Sequence, residues 1–126
     1  MVIADDHQSV VAIVRETLDG EFEVIGTAEN GGQAVDCVLK LDPDLLVTDI
    51  SMPVLNGLEA AKRLQKAHCR TRIVFLTIHE DPEFVTAAFA AGASAYVIKS
   101  RISTDLISAI RETLLGNTSV SQSLKI

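Results

Sequence analysis

Asp5 and Asp6 stand side by side near the amino terminus, Asp49 follows one short run of strand-forming residues, Thr77 closes a second, and Lys99 follows a third. Three carboxylates brought to one place repel one another unless a cation joins them. Mg²⁺ suits that task, because it prefers oxygen ligands and uses one or two carboxylates together with water and phosphate oxygens. No Cys/His cluster competes for zinc. A carboxylate is also a nucleophile toward phosphorus, forming an aspartyl phosphate. The charge on the transferred group's equatorial oxygens must then be neutralised by metal, ammonium and hydroxyl donors. In that scheme Asp6 holds the metal, with Asp5 behind it or acting through water, and the backbone carbonyl of Ser51 adds a ligand. Lys99 and Thr77 pair with the phosphoryl oxygens. Singly, each residue has an ordinary explanation: an acid after a strand is a common turn residue, and a threonine is a good strand former. Their coincidence carries the reading.

The elements that would position these groups follow from the apolar pattern. Short strand-like runs are expected at Val2–Ala4, Phe22–Ala28, 45–48, 73–76 and 96–98. Longer runs with helical spacing are expected at about 10–18, 33–41, 58–66, 82–90 and 105–115. Asn30-Gly31-Gly32 reads as a turn before the second helix, Pro43 ends that helix, and Ser103 or Thr104 can cap the last one. Strands 45–48 and 73–76 are apolar on both faces, as strands sandwiched between helix layers must be. Strict alternation of strand and helix argues for an α/β doubly wound parallel sheet, a three-layer sandwich. Ligands in such folds sit beyond the carboxyl ends of the strands. The residues singled out above all lie just there, and Asp49, on the middle strand, is the candidate nucleophile.

Bulk properties bound the possibilities further. A chain of 126 residues with 48% apolar side chains suffices for one domain with a real core. A formal charge of -6 argues against gripping a nucleic-acid backbone through this segment alone. Cys37 and Cys69 make no metal or disulfide framework, and Cys37 is expected to be a buried reduced thiol. No apolar stretch reaches the length of a membrane span, so the chain reads as soluble and cytoplasmic.

The stretches "VIADDH" (Val2 to His7), "LLVTDISMPVLNGLEA" (Leu45 to Ala60), "IVFLTIHED" (Ile73 to Asp81) and "GASAYVIKS" (Gly92 to Ser100) resemble a CheY-like receiver domain of two-component signalling. The likeness covers nearly the whole chain, and its details are most similar to the NarL/FixJ type. It implies a five-stranded sheet in the order 2-1-3-4-5, with phosphorylation on Asp49 and metal binding by Asp5, Asp6, Asp49 and the Ser51 carbonyl. Thr77 and Lys99 would contact the phosphoryl group. Tyr96 matches the family's aromatic switch position, whose ring moves inward when the Thr77 hydroxyl is drawn to phosphate. Ser51 and His79, each two residues past a key position, overhang the phosphoryl group and are expected to tune hydrolysis. In the loop after Asp49, Met52-Pro53 sets an extended backbone and Gly57 permits a turn.

The resemblance also implies a sensor histidine kinase as partner, docking near Asp49, and a homodimer formed on phosphorylation. The NarL/FixJ type is usually fused to a helix-turn-helix domain, which implies transcriptional control through DNA contacts made outside this chain. Residues 1–116 are then the receiver, and 117–126 the start of an interdomain linker or a C-terminal tail. Such a domain is a switch rather than an enzyme, catalysing only its own phosphorylation and dephosphorylation. Three rivals are weaker. A haloacid-dehalogenase-like phosphohydrolase wants an acid where Ser51 stands, and a flavodoxin-like carrier wants a phosphate loop after the first strand. A pseudo-receiver, a protein-interaction module that takes no phosphate, would have no need of all five site residues. His79-Glu80 begins like a zinc-protease HExxH, but Glu83 stands in place of the second histidine.

Overall fold

The computed structural model describes residues 1–121. Strands β1 (Val2–Ala4), β2 (Gly26–Ala28), β3 (Leu45–Thr48), β4 (Arg72–Thr77) and β5 (Ala95–Ile98) alternate with helices α1 (Gln8–Leu18), α2 (Gly31–Leu41), α3 (Gly57–Lys66), α4 (Pro82–Ala90) and α5 (Ile107–Leu114). All strand pairs are parallel, and the order is 2-1-3-4-5 with a two-residue sixth strand, β6 (Ser119–Val120), beside β5. The fold class and the order of the five principal strands are as the sequence implied.

The period-two alternation of strand side chains sorts the core into two layers. Ile73 and Phe75 of β4 face α2, α3 and α4, meeting Val38, Leu64 and Ala88. Val74 and Leu76 face the other way, packing with Val14 and Leu18 of α1 and Ile110 of α5. Because β1 lies between β2 and β3, the chain winds out in both directions from it. The crevice at that reversal opens at the carboxyl ends of β1 and β3. Both ends are held one residue beyond the strands, by Asp5 N–H donating to Ala28 O at 3.0 Å and Asp49 N–H donating to Ala4 O at 3.0 Å.

Several local expectations are corrected. Strand β2 starts at Gly26 rather than Phe22, because Phe22 N–H still bonds to Leu18 O (3.1 Å) at the end of α1. Phe22 and Val24 reach the core without pairing as strand. Helix α2 begins at Gly31, not after a glycine turn: Asn30 caps it by accepting from Gln33 N–H at 2.9 Å. A side chain at Gly31 would collide with the Leu55 carbonyl, 2.1 Å from an ideal Cβ. The last helix is entered through a 3₁₀ turn (Lys99–Arg101) and a π turn (Ile102–Leu106), so Ser103 and Thr104 lie inside a helical segment rather than capping one. Thr104 Oγ1 instead donates to Arg101 O at 3.3 Å. Cys37 is free but only partly buried.

Strand β6 falls in the segment expected to be linker or tail. Ser121 fixes it, its N–H donating to Tyr96 O (2.9 Å) and its Oγ accepting from Ile98 N–H (3.0 Å). The sheet therefore extends past residue 116, and the rest of that segment, 122–126, lies outside the described residues.

Candidate functional site

Asp5, Asp49 and Lys99 form the floor of the crevice. Lys99 Nζ lies 2.8 Å from Asp5 Oδ2 and 2.9 Å from Asp49 Oδ2, and all three side chains are largely buried. The other Asp49 oxygen, Oδ1, accepts from Ile50 N–H at 2.7 Å, which fixes the plane of the carboxylate. Burial pulls the Lys99 pKa down, but hydrogen bonds and charge from Asp5 and Asp49 outweigh it and hold the ammonium above its usual range. The loop after Asp49 approaches closely. Gly57 N–H donates to Ile50 O (2.8 Å), and a Cβ on Gly57 would come within 1.9 Å of the Asp49 carbonyl oxygen. Gly57 is thus required for close approach at the start of α3, not for a turn. The left-handed residue in this loop is Val54 (φ 68), within a tight turn closed by Leu55 N–H donating to Pro53 O at 2.7 Å.

Asp6 sits beside this floor and is more exposed. Asp5, Asp6, Asp49 and also His7 each place one ligand atom so that all four lie within 4.8 Å of one another. Three carboxylates against one ammonium leave negative charge in excess, and hard oxygen donors at this spacing fit Mg²⁺. The sequence reading passed over His7, although its place directly after the acid pair was the available signal. Its Nδ1 is 3.1 Å from Asp6 Oδ1 and 3.2 Å from Asp5 Oδ1.

A second cluster forms the rim at the end of β4. Thr77 is fully buried, and its Oγ1 accepts from His79 N–H at 3.3 Å. Ser51 Oγ and His79 Nε2 are hydrogen-bonded at 2.7 Å, and the imidazole stacks on Phe84 with ring centroids 4.1 Å apart. Tyr96 is turned inward, its ring fully buried and its O–H donating to His79 O at 2.8 Å. Burial first, then the negative charges of Asp49 and Asp81, pushes its pKa up to about 12. Beside the rim a groove of about 590 Å³ runs between Asp6, Ser51, Met52, Leu58 and Phe84. The structure therefore gathers Asp5, Asp6, Asp49 and Lys99 into one cluster and Ser51, Thr77, His79 and Tyr96 into another, at the same edge of the sheet.

A crevice of acids and one lysine at the reversal of a 2-1-3-4-5 sheet narrows the choice of family sharply. Residues 1–111 match the family model described as the response regulator receiver domain. The chain belongs to that family. The receiver is 37% identical to the transcriptional regulatory protein DegU of Brevibacillus brevis over 118 residues, covering 92% of this chain and 50% of that protein. It is 31% identical to the nitrate/nitrite response regulator protein NarL of Escherichia coli K12, covering 98% of this chain and 58% of the relative. Among solved structures, a LuxR-family two-component response regulator from Aurantimonas superposes with a TM-score of 0.92 at 30% identity, covering 98% of this chain and 89% of that one. The receiver is a signalling domain of the NarL/LuxR type, and it spans about half the length of the curated relatives it matches. Among the described residues, no helix is long and apolar enough to cross a membrane.

Proposed function

We propose that the receiver takes a phosphoryl group on Asp49 from a phosphohistidine of a sensor kinase and relays the change to an output. The observation that carries this is the pinned Asp49 carboxylate, with Oδ1 held by Ile50 N–H and Oδ2 facing the Lys99 ammonium. In the transfer, the Asp49 oxygen forms a bond to phosphorus while the P–N bond breaks, and the donor imidazole leaves with the electron pair and takes up a proton. Asp6, Asp49 and the Ser51 carbonyl would hold Mg²⁺, with Asp5 acting through water, and the ion's part is to neutralise phosphoryl oxygens. Lys99, already between Asp5 and Asp49, moves its charge onto the new phosphoryl oxygens. Thr77 turns its hydroxyl from His79 N–H to the same group. Such differential contacts are what let a covalent change shift a two-state equilibrium. The Tyr96 ring is already inward while Thr77 still accepts from His79 N–H, so the Tyr96–His79 bond, rather than an inward swing of the ring, is the contact through which the rim responds and through which Tyr96 acts as the switch residue.

The name of the relative DegU, a transcriptional regulatory protein, supports a regulatory output, and the remaining assignments follow from membership of the receiver family. The domain catalyses only its own phosphorylation and its return by hydrolysis, in which water attacks phosphorus and the Asp49 carboxylate leaves. Output is transcriptional, through a DNA-binding domain outside this chain, with dimerisation on phosphorylation and with the cytoplasm as the compartment. Every acid, hydroxyl and ammonium this chemistry calls for is in place, which counts against a pseudo-receiver. The test uses labelled phosphoramidate as a P–N donor. Label that survives acid but is released by hydroxylamine identifies an acyl phosphate, and label resistant to hydroxylamine rejects the proposal. Ser51→Ala and His79→Ala are expected to change the lifetime of the adduct rather than its yield. An unchanged lifetime in both would remove their role in hydrolysis.

A further inference from the structure

Strand β6 stands apart from the five principal strands, yet the residue just past it bonds to the stretch that joins Tyr96 to Lys99. Ser121 N–H donates to Tyr96 O at 2.9 Å, and Ser121 Oγ accepts from Ile98 N–H at 3.0 Å. Ser121 is buried, whereas Ser119 and Val120 are only half-buried. The same hydroxyl also reaches the turn that enters α5. Burial raises the Asp105 pKa, but hydrogen bonds from Arg101, Ser121 and Thr104 outweigh it and hold that carboxylate below its usual range. Two paired residues fall well short of an ordinary strand, so β6 belongs to the part of the fold that opens at least cost. A cleft of about 120 Å³ separates it from Thr104, Asp105 and Ser108, so little side-chain packing reinforces the pairing. At a sheet edge, water can take over both bonds when the segment leaves.

Lys99 pulls on the same backbone from the other side. In the order β1-β3-β4-β5-β6 its ammonium reaches back to Asp5 and Asp49, beyond β1 and β3, while the preceding N–H, that of Ile98, faces Ser121. We propose that Ser121 is a clasp that holds β6 on β5 while Asp49 is unmodified, and that phosphorylation releases it as Lys99 follows the charge onto the phosphoryl group. The inference rests on the reading that Asp49 takes that group. It adds a route from the site to the segment that the receiver reading assigns to the connection with the output. Coupling of this kind is reciprocal: if the phosphoryl state opens the clasp, an open clasp favours the phosphoryl state by the same factor.

The experiment follows amide hydrogen exchange by NMR on the full chain, with and without beryllofluoride and Mg²⁺ as a stable stand-in for the phosphoryl group. The Ile98 and Ser121 amides are expected to exchange on the order of fivefold faster with the analogue. The Val47 amide, in the centre of the sheet, should not speed up, and in each variant it reports whether the fold is intact. Ser121→Ala should exchange fast at Ile98 without the analogue and bind beryllofluoride more tightly, by up to the same factor. A serine that only propped the fold would leave that affinity unchanged. Ser119→Ala trims a β6 side chain but removes no backbone bond, and it should match wild type. Exchange at Ile98 and Ser121 that the analogue leaves unchanged overturns the clasp, and this arm needs no variant. A Ser121→Ala affinity no tighter than wild type overturns it too, and either result leaves the Asp49 chemistry standing. If beryllofluoride fails to bind wild type in Mg²⁺, or binds Asp49→Ala equally well, the phosphoacceptor reading fails and the clasp with it.

Discussion

Two ion pairs at opposite extremes of burial show how position alters the same chemistry. Lys99 is 13% exposed and is shared between carboxylates that are 3% and 5% exposed, whereas Arg111 and Glu21 pair at 2.7 Å with 61% and 41% of their side chains in solvent. Water and salt screen the outer pair, and holding two long side chains in one geometry offsets much of its gain. The inner group has no such relief. Its charges were taken out of water at a cost that only their mutual contacts offset, so removing one partner strands the others. The outer pair decorates the surface, while the inner one holds the site in register and leaves it short of positive charge.

Breaking the inner group should have the largest effect. Lys99→Met leaves Asp5 and Asp49 facing each other without the ammonium, and a loss of about 3 kcal/mol is expected in urea unfolding. The contrast sharpens if Mg²⁺ stabilises Lys99→Met more than wild type, since the ion then replaces part of the missing charge.

Alkaline pH tests the same group without mutation. Lys99 has a raised folded pKa, so its contribution is complete below the unfolded value of 10.5 and is lost as pH rises through the higher folded value. Tyr96 behaves alike: the fold favours the neutral phenol, and stability falls as pH climbs from 10.0 toward about 12. The chain has one tyrosine, so absorbance at the phenolate band should titrate near that upper value. Titration at the ordinary tyrosine value would mean that the ring is not held inward.

Smaller changes follow at the rim and the surface. Tyr96→Phe removes the bond to the His79 carbonyl and should cost about 1 kcal/mol. Arg111→Ala should cost less than about 0.5 kcal/mol and lose even that at high salt. A surface loss as large as the Lys99 effect would undo the comparison.

The sequence made legible whatever depends on residue type at a strand end. Asp5, Asp49, Thr77 and Lys99 were placed because alternating strands and helices dictate where strand ends gather. The parts that stayed hidden depend on particular backbone contacts rather than on residue type. The late start of β2 is set by Phe22 bonding back to Leu18, and the capture of β6 by Ser121 bonding to β5. Gly57 was noticed but misread, because the oxygen that excludes a side chain there belongs to Asp49, eight residues earlier in the sequence and adjacent only in the fold. His7 was overlooked because a single histidine carries no periodic signal, and its meaning comes from the acids around it.

The proposal that Asp49 is the phosphoacceptor of a metal-dependent reaction stands or falls on one experiment. Intact-mass analysis after incubation with a small phosphodonor, with and without Mg²⁺, on wild type and Asp49→Ala tests it most directly. One phosphoryl adduct that requires Mg²⁺ and vanishes in Asp49→Ala is the predicted result. An adduct of equal yield in Asp49→Ala, or none in the wild type, would contradict it.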